Sequence, residues 1–387
     1  MPILISYSFR NILKRRLTSA LTIAGMALVV FVFAAVLMLS HGLETTLVDT
    51  GIDDNVTIIR KASETEVQSI MPIDMGTVAR TDDAIARDVD GTPLAACEIM
   101  VLSNEKKRSG GLSNVAIRGV STVTLKVRPQ ISMLEGRMFT VGTSEVIVGR
   151  KTARDFEGCG LGESIRLASR EWQVVGVFEA GNSGFESEIW GDYDQLSDAF
   201  RRPIYSSITA RLSNPNDFDA MKDRFENDPR LTVDVFREKE YYRKQSEFTT
   251  TFINILGLVI SIIFSLGAIV GAMITMYASV SNRTREIGTL RALGFGRQAI
   301  LGTFLIESVM ISGLSGALGL AGAYFLRFLE VSTTNWDTFA ELAFGFEISW
   351  MIALYAMIFA IVMGVVGGFF PAVRASRLKI ISALREK

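Results

Sequence analysis

Arg283–Gly296, RTREIGTLRALGFG, separates two long apolar runs, Phe248–Asn282 and Gln298–Leu326, each able to cross a bilayer. A charged loop of about four turns between two spanning helices is too short to be a domain, so its residues act on something outside the membrane. Ile287, Leu290 and Leu293/Gly294 recur at helical spacing, while Arg283, Arg285, Glu286 and Arg291 stay polar. The pattern predicts a short amphipathic helix at the membrane surface, a lever with one apolar and one basic edge. The alternative reading is a basic anchor that only fixes topology.

Around this stretch, 49 % of the 387 residues are hydrophobic, and four nearly uncharged runs have spanning length. The formal net charge of −1 becomes informative once divided among the segments between those runs. Residues 1–16, the loop around 290 and the tail after Val373 together carry thirteen Lys/Arg against Glu286 and Glu386. Residues 41–247 carry 26 Lys/Arg against 34 Asp/Glu, and the loop 328–347 has Glu330, Asp337, Glu341 and Glu347 with no cation. By the positive-inside rule both termini and the lever are expected in the cytoplasm, with the large block and the small acidic loop outside.

The resulting plan is an integral membrane α-helical protein with four transmembrane helices, N-in/C-in, and a large mixed α/β extracytoplasmic domain between helices 1 and 2. Residues 1–16 mix Ile3, Leu4, Tyr7, Phe9, Ile12 and Leu13 with basic residues, as a surface elbow helix would. The first span is 17–40, its Leu17–Leu39 core holding 23 residues without charge. A cleaved signal peptide competes for this stretch, but such a core is usually only ~7–15 residues, and cleavage would leave an odd number of crossings. The extracytoplasmic domain covers 41–247.

The second span, 248–280, belongs to a 35-residue uncharged run that exceeds the hydrocarbon thickness, so its outer end is expected to continue as a stalk. The lever occupies 281–297. The third span, 298–327, carries Gly313, Gly316 and Gly319 as helix-packing positions, within one subunit or at a dimer seam. It also carries Glu307, whose shallow depth suits a structural hydrogen bond better than a proton relay. A short loop spans 328–347. The fourth span, 348–373, closes at Pro371 before the basic tail 374–387, where Leu378, Ile381 and Leu384 share a helical spacing.

Within the α/β block, Val56–Arg60 and Glu98–Leu102 read as strands flanking a helix 82–89 capped by Thr81. Tyr205–Leu212, Asn216–Glu226 and Leu231–Phe236 repeat the strand–helix–strand order, giving two βαβ-like halves. Glu145–Val148, Ser164–Ala168 and Glu171–Phe178 are short strands punctuated by Gly158, Gly160 and Gly162, a β-rich insertion over about 126–204. The Glu186/Glu188 and Asp192/Asp194 clusters read as solvated acidic loops. Cys97 and Cys159 are left open between a bridge and two free thiols. A single histidine, His41, leaves no multi-histidine metal site, and no nucleophile–base constellation is legible, so no catalytic or cofactor-binding residue is expected. No Gly-Lys pair occurs, so the phosphate-cradling loop G-x-x-x-x-G-K-[ST] is missing from these residues.

The segment SNRTREIGTLRALGFGRQAILGTFLIESVMISGLSGALG resembles the joint between the second and third helices of the MacB/FtsX-like permeases of ABC transporters. PAVRASRLKIISALRE resembles that family's C-terminal motif, with Ile380 or Ile381 where a proline is usual. LEGRMF with SEVIVG, then GESIRL with WQVVGVF, resemble its periplasmic core domain, so the likeness covers nearly the whole chain. The resemblance implies that Arg283, Arg285, Glu286, Ile287, Gly288, Arg291, Ala292, Leu293 and Gly294 form a coupling helix that docks on an ATPase. Glu307 would be the family's helix-three glutamate. It further implies a permease dimer, formed with a second copy or a homologous permease, and a separate ABC ATPase that binds ATP and Mg. In part of the family a periplasmic adaptor and an outer-membrane duct join them. The expected setting is the bacterial inner membrane, with lipid around the helices and no nucleic acid. The expected function is mechanotransmission driving export from the periplasm or outer leaflet, catalysed by no residue of this chain. A non-transporting mechanical regulator, a lipoprotein-releasing permease and a membrane-anchored external enzyme are the rivals.

The topology is directly testable. A cysteine at Thr289 should react with a membrane-impermeant maleimide only after the cells are permeabilised, and labelling in intact cells would overturn the orientation.

Overall fold

The computed structural model describes residues 16–379, so most of the expected elbow helix, and Ile380, Ile381 and Leu384 of the tail, lie outside the described residues. The chain runs α1 (Arg16–Val48), β1 (Asn55–Arg60), α2 (Ile73–Arg80), β2 (Ala95–Lys106), β3 (Leu112–Val120), α3 (Thr124–Val127) and β4 (Ser132–Gly136). Next come β5 (Glu145–Gly149), α4 (Arg150–Asp155), β6 (Ser164–Leu167), β7 (Arg170–Glu179), β8 (Glu188–Asp192), α5 (Tyr193–Ala199) and β9 (Ser207–Arg211). It ends with α6 (Phe218–Asn227), β10 (Val233–Arg237), α7 (Glu238–Asn282), α8 (Thr284–Ala292), α9 (Arg297–Tyr324), β11 (Glu330–Thr334), β12 (Glu341–Gly345) and α10 (Trp350–Ser376). Two compact units result. One holds Leu43–Thr250 and Glu330–Phe344, and the other holds the membrane helices.

Among the described residues, four helices, α1, α7, α9 and α10, are long and apolar enough to cross a bilayer. α7 has 45 residues and starts at Glu238, ten residues before the uncharged run, because Glu238–Glu247 is itself good helix-forming sequence. In the membrane unit, Met26, Val30, Ala34 and Met38 of α1 meet Ile352, Ala356 and Ala360 of α10, and Phe33 stacks on Phe359 with ring centroids 4.5 Å apart. Small residues bring α9 and α10 together: Gly364 and Gly368 lie against Ser312 and Ser308, and the Ser308 hydroxyl donates to the Gly364 carbonyl. A Cβ on Gly316 would stand 2.8 Å from Met357 Sδ, and one on Gly319 would stand 2.7 Å from the Ala27 carbonyl oxygen. Gly313 is unlike these two, for nothing among the described residues lies within 4 Å of its Cβ direction. The fourth helix also differs: it does not close at Pro371 but continues to Ser376. A proline forfeits one intrahelical bond, and the buried Ala372 and Ala375 beyond it pack well enough to hold the extra turn.

The α/β unit is built on one ten-stranded sheet in the order β10-β1-β9-β2-β3-β8-β5-β7-β4, with β6 pairing β7. Its first four strands are all antiparallel to their neighbours, so the two strand–helix–strand halves interleave rather than stand side by side. This is the split βαβ arrangement, in which β9 separates β1 from β2 and β1 separates β9 from β10. The helix of the first half is α2, not 82–89: Thr81 is its C-cap, with Oγ1 donating to the Val78 carbonyl at 2.7 Å. Asp82 accepts from the Ala84 backbone N–H at 2.9 Å, and such a local turn competes with helix over the following residues.

The long strand β2 joins the two lobes, pairing β9 through Ala95–Glu98 and β3 through Ile99–Lys106. The inserted lobe therefore begins with β3, earlier than residue 126. Its strands alternate between two cores: Val146 and Val148 of β5 face Trp172 and Ile189, whereas Ile147 joins Phe178, Phe185 and Trp190 on the other side. Cys97 and Cys159 are free thiols in separate cores, and burial pushes them up to about 11 and about 12.

Two further expectations, one about the acidic clusters and one about the stretch 328–347, are overturned. Glu186, Glu188 and Asp192 are buried, and only Asp194 of the acidic clusters is exposed. Cations that a linear reading cannot pair with them draw the two glutamates inward, Glu186 pairing with Arg150 at 2.9 Å, whereas Asp192 accepts from the Gly142 backbone N–H at 3.0 Å. Arg118 donates to both Glu66 oxygens at 2.8 and 3.0 Å, to Glu188 at 2.8 and 2.9 Å and to Glu98 at 2.9 Å. Arg128 also pairs with Glu98 and lies 3.4 Å from Glu238. Likewise the stretch 328–347 is not a simple loop, since β11 and β12 form a hairpin that belongs to the α/β unit.

Removing one partner of a buried ion pair strands the others, so Arg118→Met should cost about 3–5 kcal/mol of stability. The check is denaturant or thermal unfolding of the full chain in detergent. Burial works against the Glu66 charge, but the charge and hydrogen bonds of Arg118, with Ser207 and Arg128, hold its carboxyl below the ordinary range. Its contribution is thus complete above the normal glutamate pKa and is lost as pH falls through the lowered one. Acid unfolding of the Arg118→Met variant should begin at higher pH than that of the wild type.

Candidate coupling site

Helical hydrogen bonding is interrupted at Arg283, whose backbone sits at φ −117° and ψ 16° between α7 and α8. The inner face of α8 is pinned by Ile287, which is buried with Met276 and Val280 of α7, Ile300 and Phe304 of α9, and Ala372 and Ala375 of α10. Leu290 packs against the same cluster. Arg291 reaches from α8 to donate to the Ser376 carbonyl at 2.8 Å, satisfying one of the last carbonyls of α10 with a cation.

The expected division into an apolar inner edge and a basic outer one is only half right. Arg283 is buried, and its Nη1 donates to Glu307 Oε2 of α9 at 2.9 Å while its Nε donates to Glu286 at 3.3 Å. The guanidinium lies 5.1 Å from the centre of the Phe304 ring, a cation–π contact. Glu307 is thus held in an ion pair, for which the linear pattern offered only an unspecified hydrogen bond. Leu293 goes the opposite way and is 72 % exposed. The cause is the helix terminus. Leu293 is the C-cap and Gly294 takes φ +96°, so the chain reverses before Leu293 can complete the buried stripe. Phe295 N–H bonds the Leu290 carbonyl at 3.1 Å and Gly294 N–H the Arg291 carbonyl at 3.2 Å, the Schellman closure that a left-handed residue permits.

The nine residues of the motif therefore separate by task. Arg283, Ile287 and Gly288 are buried and Arg291 half-buried, so they fasten α8 to the helix bundle. Arg285, Glu286, Ala292, Leu293 and Gly294 are exposed and form the outward surface. Phe295, two residues after Leu293 and 44 % exposed, was not among the expected site residues. Its signal was an apolar residue immediately after a helix-ending glycine. The surface is an apolar knob with Arg285, Glu286 and Arg297 near it in sequence, suited to entering a groove on another protein and offering no catalytic constellation.

Two family models match the chain: MacB-like periplasmic core domain over residues 19–228 and FtsX-like permease C-terminal over residues 258–380. The Bacillus subtilis (strain 168) ABC transporter permease YvrN is 26 % identical over 415 residues, 98 % of this chain and 98 % of that protein. YknZ, an ABC transporter permease of the same organism, is 27 % identical over 289 residues, 70 % of each chain. The Escherichia coli macrolide export ATP-binding/permease protein MacB is 26 % identical over 397 residues, 95 % of this chain but 58 % of its own length, so the chain spans little more than half of that relative. With both halves of the sequence matched and a split α/β domain joined to four apolar helices, the chain belongs to the MacB/FtsX-type family of ABC transporter permeases.

Proposed function

We propose that this permease transmits ATP-driven motion of a separate ABC ATPase to its α/β domain, which performs work on the far side of the membrane. Membership of the family implies an ABC ATPase partner. The observation that carries the docking reading is the exposure of Leu293 and Phe295 at the end of a helix whose opposite face is packed. Large apolar side chains presented by a rigid element are what a partner's pocket buries most profitably.

In this reading α8 sits in the cytoplasm, which the basic bias of its segment favours, and the α/β domain lies in the periplasm. The 45-residue α7 contributes residues to both units, so a push on α8 has a continuous helix along which to travel. ATP and Mg belong to the partner, and this chain contributes no catalytic residue. The ABC assembly would contain two permeases, identical or homologous, in the inner membrane. Export from the periplasm or outer leaflet, through an adaptor and an outer-membrane duct, is the favoured outcome. Beyond Glu307 with its partner Arg283, and Arg327 at the very end of the third span, the spans offer no charge to line a polar path through the bilayer.

Leu293→Asp should leave insertion intact, because the side chain touches solvent, yet weaken recovery of the co-purifying ATPase from detergent extracts by tenfold or more, roughly the loss of one interface anchor. Glu286→Lys should lower permease-stimulated ATP hydrolysis in the same preparation. Wild-type recovery and turnover in both variants would exclude α8 as the docking element.

A further inference from the structure

We propose that α8 drives a second route to the α/β domain, through α9 and the β11–β12 hairpin, with Arg283 and Lys151 as positioning residues at its two ends. This rests on α8 being the ATPase-docking element and adds a path besides α7.

At the first end, Arg283 holds two carboxylates on different helices. Glu286 is an exposed residue of the docking surface, whereas Glu307 is buried in α9. A planar guanidinium shared between them, and stacked on Phe304 of α9, passes a displacement of the first turn of α8 to α9. Without it, the non-helical joint at Arg283 would absorb that displacement.

At the second end there is little slack. α9 runs into the 3-10 turn Phe325–Phe328, and only Leu329 separates that turn from β11. The hairpin is gripped by the α/β domain on both backbone groups of one residue: the Ala343 carbonyl accepts from Lys151 Nζ at 3.0 Å, and the Ala343 N–H donates to Ser187 Oγ at 3.2 Å. Lys151 is buried, and its amine also donates to the Asn182 carbonyl at 3.1 Å, with Glu186 at 3.9 Å. Asn114 Nδ2 donates to the Phe339 carbonyl at 3.1 Å, and the ion pairs Lys107–Glu341 and Arg154–Glu330 close the two edges. Main-chain capture by a buried side chain fixes a strand's position more firmly than an exposed charge pair such as Arg154–Glu330, which is worth little singly. A loop that merely covered the domain would need none of this.

The test is backbone hydrogen–deuterium exchange of residues 330–344 in the co-purified permease–ATPase complex, with and without a non-hydrolysable ATP analogue. In the wild type the analogue should change hairpin exchange. Arg283→Gln should shrink that difference about tenfold, measured on the permease–ATPase complex that still co-purifies, a loss within the usual range of coupling between sites. The reciprocal swap Arg283→Glu with Glu307→Arg should restore it, which separates positioning from simple misfolding. Lys151→Met should raise hairpin exchange with or without the analogue. A hairpin indifferent to the analogue in the wild type, an undiminished response in Arg283→Gln or a silent swap that inserts normally would overturn the second route while leaving docking intact. Failure of any ATPase to co-purify with the wild type would remove the docking reading and this route with it.

Discussion

The ion pair between Arg283 and Glu307 is the interaction on which the placement of α8 depends. A carboxylate in a membrane helix and a guanidinium beneath a surface helix are each costly alone, and together, with Phe304 stacked beside them, they fix where α8 begins. Because Arg283 turns inward, the helix that follows is rotated so that Ile287 meets the bundle and Glu286 meets solvent. Gly294 then ends the helix with Leu293 and Phe295 facing out. A buried charge thus places an exposed apolar surface.

The membrane unit around this pair relies on close approach rather than bulk. Ser308 and Ser312 of α9 meet Gly364 and Gly368 of α10, and Gly319 sits against the backbone of α1. In lipid, where apolar surface gains nothing by leaving its surroundings, such contacts and the Ser308–Gly364 hydrogen bond supply the cohesion. The α/β unit uses the opposite strategy, with wide aromatic cores on both faces of its sheet and the Arg118 cluster between its lobes.

Much of this was legible in the residues. Unbroken apolar runs declare spanning helices, because a helix satisfies its own backbone and its length alone must match the bilayer. Alternation in Leu231–Phe236, and the short apolar run in Glu145–Val148, declared strands for equally local reasons, since the pleat sends successive side chains to opposite faces and a strand buried on both is apolar throughout. Thr81 misled because the same residue type ends α2 by bonding backward to Val78, and the adjoining Asp82 turn takes the backbone N–H that a helix would need. The acidic residues 186–192 misled because solvation and burial of a carboxylate look alike until its cation is known.

The sequence by itself determined that four helices cross a membrane around a large α/β domain, and that the short basic stretch near residue 290 is an amphipathic helix of the MacB/FtsX type. Periodicity, run length and charge bias are local quantities, readable without knowing what touches what. Only the tertiary structure decided that the two strand–helix–strand halves interleave, that Arg118 gathers Glu66, Glu98 and Glu188, that residues 330–344 join the α/β unit and that Arg283 faces in while Leu293 faces out. Each of these is a pairing between residues distant in the chain, or a rotation set by such a pairing, and its energy exists only once the fold has brought the partners together.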